Sequence, residues 1–174
     1  LCLGQFLDQS FLCASYVKSC SKESANPCRK GNEGIEAIGM HPLDSCYAEE
    51  GRIVSMECRH IREMLAKGIV PVLHGDVVMD GMRGATVVSG DQLVSYLGRA
   101  LRFRRIGLAT DVPGVLAGDT VVQLLTPQNV NQVLIGSSRH TDVTGGMEGK
   151  IRELLELARS GTPSEIFHVE QTGA

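Results

Sequence analysis

The run Ile69-Val70-Pro71-Val72-Leu73 contains no polar residue and passes directly into His74-Gly75-Asp76. An unbroken apolar run is what a strand buried on both faces requires, and parallel sheets covered by helices provide that burial. Residues 105–109 read as a second buried strand, and they give way to Thr110-Asp111-Val112-Pro113-Gly114. In open sheets of this kind, ligands bind beyond the carboxyl ends of the strands. Two strand ends carrying small and acidic residues therefore constrain both the architecture and the place where chemistry belongs.

The surrounding rhythm supports that reading. Residues 35–40 read as a short strand ended by His41-Pro42, and residues 53–67 as a helix with Ile53, Met56, Ile61, Met64 and Leu65 on one face and Gly68 as its stop. Residues 77–79 and 85–88 flank Asp80-Gly81-Met82-Arg83-Gly84, a hairpin with glycine-bearing turn chemistry. Leu93, Leu97 and Leu101 mark a helix over 91–101, and Ile151, Leu154, Leu155 and Ala158 mark another over 146–160. Residues 121–125 read as an edge strand, 127–135 as a helix capped by Thr126, and 165–169 as a last strand. Strands separated by helices predict an α/β fold, a three-layer sandwich around a mostly parallel central sheet. Residues 34–174 form this partial domain, and residues 1–33 are a poorly defined segment with a short amphipathic helix over 6–17.

Composition narrows the functional classes. The 174 residues are 43% hydrophobic and 21% charged, with a formal net charge of -3, so no basic field favours nucleic acid or an anionic membrane. Tryptophan is absent and aromatics make up 4%, which weakens base stacking as a binding mode. No run approaches the ~20 apolar residues of a membrane span. Cys2, Cys13, Cys20, Cys28, Cys46 and Cys58 include no C-x-x-C pair, and the expectation is free thiols in a reducing cytoplasm. Small molecules remain as partners.

Four segments combine small, acidic and basic residues at strand or helix ends: His74-Gly75-Asp76, Ser89-Gly90-Asp91, the turn at Asp111, and Asp142-Val143-Thr144-Gly145-Gly146-Met147-Glu148-Gly149-Lys150. In the last, paired glycines let backbone approach an anion at a helix start, where unpaired amides favour negative charge by roughly 0.3–1 kcal/mol. Lys150, about one turn inside, adds a full charge suited to a transferring phosphoryl group. A capped surface helix with a solvated lysine explains the same residues. Asp91 fits either a helix cap or a carboxylate that holds lysines in place, and Asp111 fits ordinary turn chemistry. His74 fits a base, a phosphate donor or a satisfied structural histidine.

In order and spacing, these segments resemble the isopentenyl phosphate kinase pattern within the amino acid kinase superfamily, most sharply between Gly68 and Lys150. The resemblance implies transfer of the γ-phosphoryl of ATP, with Mg2+, to isopentenyl phosphate by a cytoplasmic enzyme of isoprenoid biosynthesis. It places Ser89 and Gly90 at the phosphate acceptor and makes Asp91 and Lys150 the catalytic pair. Asp111, Gly145, Gly146 and Lys150 fall on the nucleotide, with His74, Gly75 and Asp76 in support, and no protein-bound metal site is implied. Dimers are common among such kinases, so a homodimer is consistent with the resemblance.

The chain also departs from that pattern. Such kinases begin with a lysine-bearing glycine-rich loop and a second glycine loop with a substrate-binding histidine. Neither precedes Gly34, and His41 and His60 lack the glycine context for that role. The expectation is therefore an N-terminally incomplete kinase with impaired transfer. The alternatives are a non-catalytic nucleotide-binding or dimerising fragment, or a kinase for another small phosphate or phosphonate acceptor.

Overall fold

Residues 105–110 form the middle strand of a parallel sheet in the computed structural model, which describes residues 11–13, 36–110, 112–117, 120–131 and 145–168. This strand, β8 (Arg105–Thr110), lies between β1 (Phe11–Cys13) and β11 (Ser164–His168). Ile106 and Leu108 are almost wholly buried, as the apolar run requires. The helix expected over 6–17 is corrected at its centre. Phe11, Leu12 and Cys13 pair with Arg105, Ile106 and Gly107 as a strand, because three apolar residues fit either period and here a sheet edge claims them.

A second parallel pair joins β2 (Ala37–Gly39) to β5 (Val70–Val72), with Gly39 beside Val72. The third sheet is mixed, in the order β4-β3-β6-β7, and pairs β3 (Cys46–Glu49) with both β4 (Arg52–Met56) and β6 (Asp76–Asp80). β7 (Gly84–Val88) closes the expected hairpin with β6. The helix expected over 53–67 is halved, since residues 53–56 belong to β4 and helix α1 covers only Arg59–Ala66. Glu50 and Gly51, at φ 51° and 84°, turn the chain left-handedly, which suits the twist of a two-residue hairpin. The threefold spacing of Ile53 and Met56 thus coincided with a strand.

Helix α2 (Gly90–Leu101) starts at the Ser89 cap, whose Oγ accepts from the Gln92 amide at 3.2 Å. Helix α3 (Gly145–Arg159) lies against it. The helices approach closely at Gly98, where an added Cβ would stand 2.5 Å from Ile106 Cδ1 and 2.8 Å from Leu157 Cδ2. Leu157 and Ile106 are fully buried there, each worth about 1.5–3 kcal/mol of apolar transfer. A separate core of Ala48, Ile61, Val78, Val88, Leu93 and Leu97 joins α1 and α2 to the mixed sheet.

The edge strand expected over 121–125 shrinks to β10 (Thr120–Val121), paired with β9 (Leu116–Ala117). Beyond it, the chain turns into a reciprocal cap. The Asn129 amide donates to Thr126 Oγ1 at 3.3 Å, and the Thr126 amide donates to Asn129 Oδ1 at 2.8 Å. This is the start expected for the helix over 127–135, of which residues 132–135 lie outside the described residues. No helix among the described residues is long and apolar enough to cross a membrane.

Candidate functional site

Asp91 stands in the first turn of α2 and Lys150 in the second turn of α3, 59 residues apart in sequence. Lys150 Nζ donates to Asp91 Oδ1 and Oδ2, each at 2.9 Å. The side chains are only 29% and 19% exposed, so the pair is partly withdrawn from solvent. Capping does not explain Asp91, because Ser89 supplies the cap. Nor does Lys150 merely extend into solvent. Its ammonium, a compact charge on a flexible stem, is held in one place by a bidentate carboxylate.

Two further contacts set α3 against the rest of the molecule. Arg52 on β4 makes a two-point contact with Glu153, through its Nη1 to Oε1 and through Nη2 to Oε2 at 3.2 Å. Hydrogen bonding to Glu153 is the largest cause holding the Arg52 guanidinium above its ordinary value, against the opposing effect of burial. Glu156, one turn on, accepts from Arg52 and from Arg99 of α2, both at 3.4 Å. The charged network therefore ties β4, α2 and α3 together one turn beyond Lys150. The sequence hides this network because residues 53–56, which follow Arg52 on its strand, also satisfy the spacing of a helix.

The other expected site residues fall in several places. Gly75 packs on the segment 88–90: an added Cβ would lie 3.0 Å from Val88 O, 3.5 Å from Ser89 Cα and 3.4 Å from Gly90 N. A Cβ on Gly90 would meet nothing within 4 Å, so its surface is open. His74 Nδ1 lies 2.9 Å from Gly75 O, and Asp76 Oδ1 accepts from the Val77 amide at 2.8 Å. Gly145 and Gly146 form the first turn of α3, with amides free of intrahelical partners. Asp111 lies outside the described residues, although the Thr110 hydroxyl before it donates to Val112 O at 2.7 Å and shapes the turn.

The arrangement offers a held cation, a helix start with paired glycines, and a second helix start with open backbone at Gly90. It suits an anionic ligand bearing more than one phosphate.

Comparison with known proteins agrees with this chemistry. Residues 28–168 match the family model described as the amino acid kinase family. The isopentenyl phosphate kinase of Haloferax volcanii is 41% identical over 143 residues, covering 81% of this chain and 56% of that protein. The isopentenyl phosphate kinase of Methanothermobacter thermautotrophicus is 40% identical over 150 residues, with the same coverage of 81% and 56%. A solved structure titled "X-ray structures of isopentenyl phosphate kinase" superposes with a TM-score of 0.64 at 36% identity, covering 82% of this chain and 54% of that one. The chain spans about half the length of the curated relatives it matches.

Proposed function

The chain belongs to the amino acid kinase family, and from that membership we propose that it forms the nucleotide side and part of the acceptor side of an isopentenyl phosphate kinase. The observation that carries the proposal is the Asp91–Lys150 pair, which joins two motif segments at the starts of two helices. Lys150 would neutralise charge on the β- and γ-phosphates of ATP as the bridging bond loosens, and Asp91 is its positioning residue. The first-turn amides at Gly145 and Gly146 would face the nucleotide phosphates, with Asp111 on the nucleotide side. Ser89 and Gly90 would meet the phosphate of the acceptor, and the close packing of Gly75 would hold that segment in place.

Phosphoryl transfer from ATP in enzymes of this class uses Mg2+, which keeps much of its hydration and binds largely through substrate phosphates. Both Asp91 oxygens are engaged by Lys150, which suits that carboxylate to holding the lysine. The donor set of the pair therefore fits an ion that arrives on the nucleotide. Free, buried thiols at Cys46 and Cys58 are in keeping with the cytoplasm as the place of reaction.

Two assays test the reading. The first measures isopentenyl diphosphate formation from ATP and isopentenyl phosphate by the chain itself. The second measures it in a chimera whose 36–168 segment replaces the matching part of the Haloferax volcanii enzyme. The expected result is turnover by the chimera that depends on Lys150, with little or none by the isolated chain. A folded chimera that binds ATP but prefers a phosphonate acceptor would overturn the assignment of substrate. A folded chimera that binds no ATP would overturn the kinase reading altogether.

A further inference from the structure

The parallel register of β2 and β5 has a consequence at their carboxyl ends. Gly39 lies beside Val72, and the Met40 amide continues the ladder to Val72 O at 2.9 Å. His41 and His74 each follow two residues after that last pair, so the two strands deliver two imidazoles side by side. Their ring centroids are 5.3 Å apart and the planes stand at 83°. Asp76, the first residue of β6, brings Oδ2 to 3.9 Å from His41 Nδ1. One ligand atom from each of the three residues lies within 4.8 Å of the others.

The protons and lone pairs are arranged to match. A carbonyl oxygen only accepts, so the 2.9 Å contact with Gly75 O puts the proton of a neutral His74 on Nδ1 and the lone pair on Nε2. Metal-ligating histidines show this pattern, with one ring nitrogen tied to a carbonyl or carboxylate and the other bare. The Val77 amide likewise occupies Asp76 Oδ1 and orients the carboxylate. His41 is the movable member: its side chain is 70% exposed, on extended backbone ahead of Pro42.

We infer that His41, His74 and Asp76 form a binding site for a divalent transition-metal ion of the Zn2+ class, at the carboxyl ends of β2 and β5. Two imidazoles and one carboxylate select such ions over Mg2+, which prefers an all-oxygen shell. Three protein ligands leave a position open to water or an anion. Ligand atoms around tetrahedral zinc stand roughly 3.3 Å apart, so the three groups draw together on binding, with the exposed His41 ring the least constrained of them. Gly75 packs the cluster against Ser89 and Gly90, so a bound ion adds positive charge beside that segment. The metal site itself does not depend on what Ser89 and Gly90 bind.

Co2+ is the probe, because its visible spectrum separates nitrogen and oxygen ligands from thiolates. All six cysteines of the chain are thiols to exclude, and at Cys46 and Cys58 burial, the largest cause in both, pushes the thiol above the ordinary cysteine value. The untagged 174-residue chain is titrated with Co2+ by absorption and calorimetry, alongside His41→Ala, His74→Ala and Asp76→Asn. The expected result is one equivalent bound without thiolate charge-transfer bands, and displaced by Zn2+. Affinity should fall at least about 100-fold in His41→Ala, the upper end of what losing even a supporting partner of a metal ligand costs. If His74→Ala fails to fold, His41→Ala still decides the matter, since its side chain is exposed and circular dichroism reports its fold. Unchanged Co2+ affinity in folded His41→Ala, thiolate bands, or no Co2+ binding by the native chain would each overturn the site.

Discussion

Arg52 on β4 grips Glu153 on α3 at two points, one helical turn from Lys150. Glu153 is buried and Arg52 is 45% exposed, so the pair shields a carboxylate that could not stand alone. Arg52→Ala leaves that charge half-desolvated beside Glu156. The expected cost is about 1–3 kcal/mol, below the roughly 3–5 kcal/mol of a fully buried pair because half-exposed Arg52 leaves room for water once truncated. Urea denaturation of Arg52→Ala checks it, and a change within experimental error would show that solvent replaces the guanidinium freely.

Asp91→Asn keeps the size of the side chain but loses the charge that fixes the lysine. Ser89 still caps α2, so stability should change little. In the chimera, kcat should drop by about 100-fold, the order expected when a reacting-centre cation is misplaced by an ångström. Gly90→Ala is the companion variant. Its Cβ meets nothing within 4 Å among the described residues, so the fold should tolerate it while KM for the acceptor rises and ATP affinity stays put. A loss of stability in Gly90→Ala instead would move that residue from the acceptor to the scaffold.

The strands and helices that frame this site were legible because each carries a strong local signal. Residues 106–109 are apolar without interruption, and Ser89 and Gly161 punctuate helices in the way caps and stops do. The hairpin of β3 and β4 was not, since Glu50-Gly51 is a weak turn pair and Ile53 and Met56 also satisfy helical spacing. The residues of the pair were legible from the motifs, but local sequence left Asp91 open between a helix cap and a carboxylate that holds a lysine. The Ser89 cap and the tertiary contact of Lys150 with Asp91 decide for the second. His41 was set aside because its neighbours lack glycine, whereas its place beside His74 follows from strand register, which no single segment encodes.

Gly98 tests how tightly α2 and α3 must approach. Alanine there gains about 1 kcal/mol in helix propensity over glycine. Its methyl, however, would collide with Ile106 and Leu157, both fully buried and without room to retreat. Overpacking of this kind costs about 1–3 kcal/mol, so Gly98→Ala should be neutral to destabilising despite the propensity gain. Adding Ile106→Val removes the methyl nearest the clash. Thermal melts of the two single variants and the double variant should show positive coupling, and simple additivity would place the approach of the helices elsewhere.

Asp80 fastens the tips of two hairpins through its carboxylate. Oδ2 accepts from the Gly51 amide at 2.7 Å, and Oδ1 accepts from the Met82 and Arg83 amides, each at 2.9 Å. Burial is the largest single influence and would raise this carboxyl. The three amides, with the charge of Arg83, together outweigh it and hold the group below the ordinary aspartate value. A folded-state value lower than the unfolded one means that the ionised form stabilises the fold. That contribution is fully present above the unfolded-state value and is lost as pH falls through the folded-state value. Asp80→Asn can still accept from two of the amides through its single carbonyl, but its NH2 would face the Gly51 N–H. The variant should therefore be less stable than the native chain at neutral pH, with the gap narrowing as the solution is acidified. Urea midpoints measured at steps from neutral to strongly acidic pH check this, and a gap that stays constant or widens in acid would show that the charge of Asp80 does not secure the two tips.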